Sequence, residues 1–146
     1  MALKLRQYEE RDREQLLELW TNIFNDTGSH NDPEYILTSK LAIDENIYVA
    51  SEQDASHKEN ITGVIIAGYD GHRGWLYSLA VEKKLQRNGI GRQLVEFAVE
   101  KLRSMGCAKV NLQVREENKE VISFYRALGF KVENRISMGK LLSDTT

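Results

Sequence analysis

The chain is short of several things that would point elsewhere. It has one cysteine and one proline in 146 residues. A lone thiol cannot close an internal disulfide, which suits a reducing, cytoplasmic setting. No apolar run is long enough to cross a bilayer. The opening Met1-Ala2-Leu3-Lys4-Leu5-Arg6-Gln7-Tyr8 lacks the apolar centre of a signal peptide, so no membrane association is expected. Neither sign of charge prevails: 20 Lys and Arg against 22 Asp and Glu leave a net charge of −2. A nucleic-acid binder would carry a basic excess. Three histidines, at 30, 57 and 72, show no metal-ligand spacing, and no metal is expected. Asn25-Asp26-Thr27 and Asn60-Ile61-Thr62 match the glycosylation sequon by chance in a chain without a secretion signal.

What is present is 41% hydrophobic residues, enough for a core, in a length that fits a single domain over 1–146. Leu3 to Tyr8 alternates apolar and polar and reads as a strand. Arg11 to Asn25 is helical, with Leu16, Trp20 and Ile23 on one face. Gly28-Ser29-His30-Asn31 breaks that helix, and Asp32-Pro33 starts another, Asp32 as N-cap and Pro33 at the first helical position. Ile47–Ser51 and Ile61–Tyr69 read as strands around a polar hairpin loop, Glu52–Asn60. Asp70 to Gly74 is a tight connection into the strand Trp75–Val81. Ile90, Leu94, Phe97, Ala98, Leu102 and Met105 make one face of a long helix stopped by Gly106. Ala108 to Val114 alternates as a half-buried strand, Asn118–Leu128 is a helix ended by Gly129, and Phe130–Leu142 holds one or two strands. The order β-α-α-β-β-β-α-β-α-β-β predicts an α/β (α+β) mixed sheet with helices on both faces, without repeats or a linker.

The stretch Gln86-Arg87-Asn88-Gly89-Ile90-Gly91 lies between the strand Trp75–Val81 and the long helix. A glycine-punctuated turn opening a helix is an anion site: free backbone N–H groups converge, and the helix dipole favours negative charge there. Gly89 and Gly91 admit a phosphate close to the backbone, and Arg87 adds a fixed positive charge. Both the P-loop and the Gly-x-Gly-x-x-Gly dinucleotide fingerprint are absent. Alone, the turn is as readily a simple loop–helix junction.

Gln-x-x-Gly-x-Gly, as Gln86 to Gly91, resembles the core motif of the GNAT acetyltransferases. Asn118-Lys119-Glu120-Val121-Ile122-Ser123-Phe124-Tyr125-Arg126-Ala127-Leu128-Gly129-Phe130 is similar to that family's Asn-x-x-Ala-x-x-Phe-Tyr-x-x-x-Gly-Phe, departing only at Val121. The two stand in the family's order with a strand between them, and the resemblance runs from Leu3 to Leu142. Gly68-Tyr69-Asp70-Gly71-His72-Arg73-Gly74 and Asn31-Asp32-Pro33 resemble the YpeA-like bacterial branch.

The resemblance implies a GNAT acyl-CoA N-acyltransferase fold and direct transfer of an acetyl group from acetyl-CoA to a primary amine. The acceptor would be a small molecule or a protein N-terminus. Backbone groups from Gln86, Arg87, Asn88, Gly89, Ile90, Gly91 and Arg92 would hold the pyrophosphate. The edge at Leu79, Ala80 and Val81 would bond the pantetheine arm, splayed from the strand Ala108–Val114. Asn118 would contact the cofactor, with a plain helix N-cap as its rival role. Tyr125 would be the general acid to the departing thiolate, or else a core aromatic.

Some relatives place a glutamate where this chain has Gln113, which cannot accept a proton. Asp70 and His72 are the alternative candidates to orient or deprotonate the acceptor. Arg73 is a candidate for binding a carboxylate, and His30 and Asn31 for lining the same mouth. The alternative for Asp70, His72 and Arg73 is a polar hairpin whose Asp and Gly residues simply make the turn. About a tenth of α-amino groups, but only one lysine in a few thousand, is free amine at neutral pH, so an α-amine needs the least help. Cys107, with no histidine nearby in sequence, reads as structural rather than as an acyl carrier. Lys83 and Lys84 read as a solvated turn. Two other classes stay open: an acyl-CoA sensor without turnover, and an unrelated α/β nucleotide binder. Terminal strands of this fold often pair between subunits, which leaves a homodimer open.

Overall fold

The protein's structure, a computed structural model, describes residues 2–24 and 31–142. They fall into two units, Met1–Leu112 and Gln113–Thr146.

The first unit is a five-stranded sheet in the order β1-β2-β3-β4-β5, with β1 Lys4–Gln7, β2 Ile47–Gln53, β3 Glu59–Tyr69, β4 Gly74–Val81 and β5 Val110–Leu112. The first four strands pair antiparallel and β5 joins β4 in parallel. A 3₁₀ turn at Glu10–Asp12 leads into α1, Arg13–Phe24, and α2 covers Pro33–Leu41. Asp32 caps α2, its side chain accepting from the Tyr35 N–H. α3 runs from Ile90 to Ser104.

β3 is buried through most of its length because both of its faces are covered. On one face Val64 and Ile66 join Leu16 and Trp20 of α1 and Leu37 of α2 in the core. On the other lies α3. Its buried stripe is Ile90, Leu94, Val95, Ala98 and Leu102, and Phe97 packs edge-on against Tyr48 at 5.5 Å between centroids. Met105 falls beyond the helix end and is 41% exposed, so it is not part of that stripe. Gly63 lets α3 approach the sheet: a Cβ there would lie 2.8 Å from Leu94 Cδ1 and 3.1 Å from Ile90 Cγ2.

β1 and the hairpin entry are tied by charge. Arg6 donates to both oxygens of buried Asp12, at 2.8 and 2.9 Å, and through Nε to Glu59 at 3.2 Å. Ser51 and Arg11 complete the Glu59 shell at 2.6 and 2.7 Å. The Arg6 hydrogen bond, then that of Ser51, pulls the Glu59 carboxyl down to about 2.

In the second unit, α4 spans Lys119–Ala127. Two sequence expectations are corrected near here. The strand expected over Ala108–Val114 is only Val110–Leu112, since its ladder with β4 covers Gly74–Leu76. The strands expected within Phe130–Leu142 do not form among the described residues, and Val132, Ile136 and Met138 are 67–90% exposed. Alternation marks which side chains share a face, but a strand also needs a partner backbone.

Candidate functional site

β4 carries the most informative backbone of the first unit. Its parallel ladder with β5 ends at Leu76↔Leu112, and the chain continues as strand from Tyr77 to Val81 without further β5 partners. Within that stretch the register with β3 slips by one residue between Ile66↔Tyr77 and Val64↔Ala80. Ser78 sits in the bulge at φ 55. The buried Trp20 indole donates to the Ser78 carbonyl at 3.0 Å, which fixes the bulge to α1. The sequence placed Trp20 simply in the core; its hydrogen bond left no mark in the pattern.

Past Val81 the chain turns through a 3₁₀ segment, Lys83–Leu85, anchored by Glu82 N–H to Thr62 O at 2.9 Å. Gln86 Nε2 reaches back to the Val81 carbonyl at 3.1 Å. Arg87 has φ 71 and Gly89 φ 85, so two left-handed residues flank Asn88. Such alternation turns successive N–H groups into one concavity. Gly89 is the N-cap of α3 with no side chain capping it, and the first turn holds no acidic residue. The leading N–H groups of α3, from Ile90, Gly91 and Arg92, are therefore left for an anion rather than a carboxylate of the chain itself. A Cβ at Gly89 would meet nothing within 4 Å, so glycine stands there for its φ and for an open approach. Buried Ile90 anchors the loop beneath.

The Asp70–Arg73 connection is a closed turn. Asp70 Oδ1 accepts from the backbone N–H of His72 at 2.8 Å and of Arg73 at 2.7 Å, and Oδ2 from the Trp75 indole at 3.3 Å. The Arg73 N–H foremost, then that of His72, holds its carboxyl below the usual range. Asp70 is thus a fixed negative charge and a weak proton acceptor. His72 and Asn31 are exposed, and His30 lies outside the described residues.

Beside this turn is a cleft of about 420 Å³ that no sequence motif announced. Its lining includes Tyr35 and Lys40 of α2, Asp44, Gly68 of β3, and Trp75 and Tyr77 of β4. Lys40 is 7% exposed and its Nζ lies 2.8 Å from Asp44 Oδ1. The small Gly68 between apolar neighbours was the available signal for an opening over the sheet.

In the second unit, Asn118 caps α4, its side chain accepting from the Val121 N–H at 3.4 Å. That is its rival role made visible. Tyr125 is buried, its ring edge-on to Phe124 at 4.9 Å and Phe130 at 5.5 Å, and burial pushes its hydroxyl up to about 12. Gln113 Nε2 donates to Ser137 Oγ at 2.6 Å. Cys107 donates weakly to the Lys109 carbonyl at 3.2 Å and packs against Gly74. No helix of the described residues is long and apolar enough to cross a membrane, and no three of their His, Cys, Asp and Glu residues group to hold a metal.

A mixed sheet whose fourth strand outruns its pairing with the fifth and leads into an uncapped helix start is a frame found among acyl-transferring enzymes. A sequence model of the acetyltransferase (GNAT) family matches residues 13–130, and the chain belongs to that family. It is 32% identical over 140 residues, 96% of each chain, to acetyltransferase YE1169 of Yersinia enterocolitica. Its fold is like that of aminoglycoside acetyltransferase AAC(6')-Iy bound to a coenzyme A bisubstrate analogue (TM-score 0.76, 15% identity, 98% of this chain and 100% of that one). Glucosamine-6-phosphate N-acetyltransferase of Arabidopsis thaliana is also similar (TM-score 0.69, 20% identity, 98% and 100%).

Proposed function

We propose that this chain transfers an acetyl group directly from acetyl-CoA to a primary amine. The carrying observation is the continuous track formed by β4 beyond Leu76 and the Arg87–Gly89 turn at the uncapped start of α3. A pyrophosphate suits the turn, and an amide-bearing arm suits the strand edge at Leu79, Ala80 and Val81. The chemistry of these residues supports that reading: the turn offers backbone N–H groups, Arg87 brings charge, and no Cβ obstructs Gly89. The donor supplies an activated acyl group, and the amine displaces a thiolate that must be stabilised.

Tyr125 is our candidate for that stabilisation. At about 12 its phenol stays protonated throughout the neutral range. Full transfer to a thiolate of ordinary pKa is uphill by about 5 kcal/mol, so its contribution is a hydrogen bond to sulfur more than proton release. Asp70 and His72 are assigned to holding the acceptor, Asp70 by charge; Arg73 and Asn31 are assigned to the same mouth. Neither Asp70 nor Gln113 serves as a strong base, which favours acceptors with an α-amine-like pKa. Asn118 shapes the start of α4. One observation favours the second reading, a sensor without turnover: Gln113 cannot take a proton and is bonded to Ser137.

The test is coenzyme A thiol release from acetyl-CoA against a panel of small amines and N-terminal peptides, run with calorimetry of coenzyme A. Acceptor-dependent release establishes the transferase. Tight coenzyme A binding without release from any acceptor replaces it with the sensor.

A further inference from the structure

The cleft over Gly68 continues the donor track. With the pyrophosphate at the Gly89 turn, the arm runs back along β4 from Val81, and its reactive end points past the Ser78 bulge toward Tyr77. The four residue steps from Val81 to Tyr77 span about 13 Å of strand. The same cleft gathers exposed apolar surface. Of the large hydrophobic residues exposed among the described residues up to Leu112, namely Phe24, Tyr35, Ile43, Tyr77 and Met105, three line it. Such clustering marks a binding surface more often than chance exposure does.

Its charges are sparse and mostly committed. Lys40 is the cation among its lining residues, and it is paired with Asp44 at 2.8 Å. Asp70 remains as a carboxylate in the lining, its oxygens accepting from the His72 and Arg73 N–H groups and the Trp75 indole but facing no lining cation other than the Lys40 already paired. One carboxylate charge that no lining cation balances, in an otherwise apolar and aromatic cleft, suits one positive charge on an apolar body. A polycation would want several carboxylates, and a sugar phosphate would want a cation not already taken.

We infer that this cleft is the acceptor site and selects a small monocationic amine with an aromatic or apolar body, over aminoglycoside or phosphosugar amines. This rests on the acetyl-CoA reading above, because that reading orients the donor along β4.

The test is ligand-observed NMR of 2-phenylethylamine, glucosamine 6-phosphate and kanamycin with the coenzyme A-saturated protein, in wild type and Gly68→Val. A Cβ at Gly68 meets Lys40 Nζ at 3.7 Å and Tyr77 Oη at 3.8 Å, ordinary contacts, and the two further methyls of valine take up space in the cleft. Wild type should bind 2-phenylethylamine at least about tenfold more tightly than the other two. Gly68→Val should weaken it about tenfold or more, with calorimetric coenzyme A affinity unchanged. Equal affinity of wild type and variant, or tighter binding of kanamycin or glucosamine 6-phosphate, overturns the inference. If Gly68→Val melts early, Tyr77→Ala replaces it with the same two outcomes. Failure of the wild type to bind coenzyme A sinks the donor reading instead, and the amine titrations repeated without it still decide the cleft.

Discussion

Replacing Gly63 with alanine should damage cofactor binding from the far side of the sheet. The new Cβ would sit 2.8 Å from Leu94 Cδ1, 3.1 Å from Ile90 Cγ2 and 3.4 Å from the Ala80 carbonyl. Carbon pairs rest at about 3.5–4.0 Å, so the Leu94 methyl must retreat by about 0.7–1 Å. Leu94 is fully buried, as are Val95 and Ala98 on either side of that helix face. Overpacking of this kind costs about 1–3 kcal/mol, or about 3–15 °C in melting temperature. Part of the relief comes from lifting α3, and Ile90 is its first residue. The anion-binding turn moves with it, and acetyl-CoA affinity measured by calorimetry should fall about tenfold. A double-mutant cycle isolates the cause. Leu94→Ala alone should cost about 2–5 kcal/mol, but it removes the clashing methyl, so Gly63→Ala should cost at least about 1 kcal/mol less in that background. Additive losses, or a Gly63→Ala protein with unchanged melting and affinity, would refute the packing argument.

Three further outcomes are expected. Gly89→Ala has room for its methyl but not its φ of 85, so it should lose about 1–2 kcal/mol of stability and more than tenfold in coenzyme A affinity, read by melting and calorimetry. Tyr125→Phe should lower kcat about 10- to 100-fold, the worth of a hydrogen bond to a charged group, with the KM for acetyl-CoA unchanged. Because burial raises the Tyr125 pKa from 10 to about 12, the folded state holds that proton more tightly; its contribution is complete below pH 10 and lost between pH 10 and 12, where Tyr125→Phe should lose less stability than wild type. Glu59 is the opposite case: Arg6 and Ser51 depress its pKa from 4.5 to about 2, so its contribution is present above pH 4.5 and lost as pH falls toward 2. Glu59→Gln should melt lower than wild type at pH 7, with the gap closing through that acid window.

The parts of the fold that local rules govern were legible in the sequence. Asp32-Pro33 announced the start of α2, and Gly106, at φ 93, ended the long helix as expected. The apolar run at Ile61–Tyr69 foretold a strand covered on both faces. The Gln86–Gly91 turn into α3 was readable because a left-handed residue before a helix start favours glycine, and that signal is sequence-local. What escaped depends on partners far along the chain. The Ser78 bulge is held by Trp20, 58 residues away, and neither residue alone signals it. The Lys40–Asp44 pair is local in sequence, but the burial of Lys40 depends on the strands packed around it and leaves no local mark. The alternation in Phe130–Leu142 overreached, since it described side chains and said nothing of where a neighbouring backbone would be. Asp70 was read for its charge, and its neighbours' N–H groups turned out to claim it first.

The bulge at Ser78 changes the grammar of the strand that carries it. In an unbroken strand every second residue shares a face, which would put Leu79 with Tyr77. One extra residue resets that rule, and Ala80 takes the face that Tyr77 points from: Tyr77 reaches over Gly68, while Ala80 packs in the core with Trp20. β4 is in effect two half-strands spliced in opposite phase. The upstream half carries bulky side chains, Trp75 and Tyr77, at the cleft by Gly68, while the downstream half keeps a slim residue against α1. Deleting Ser78 would leave Tyr77 and Ala80 as second neighbours opposite Ile66 and Val64, each on its present face, while removing the left-handed residue whose carbonyl Trp20 grips.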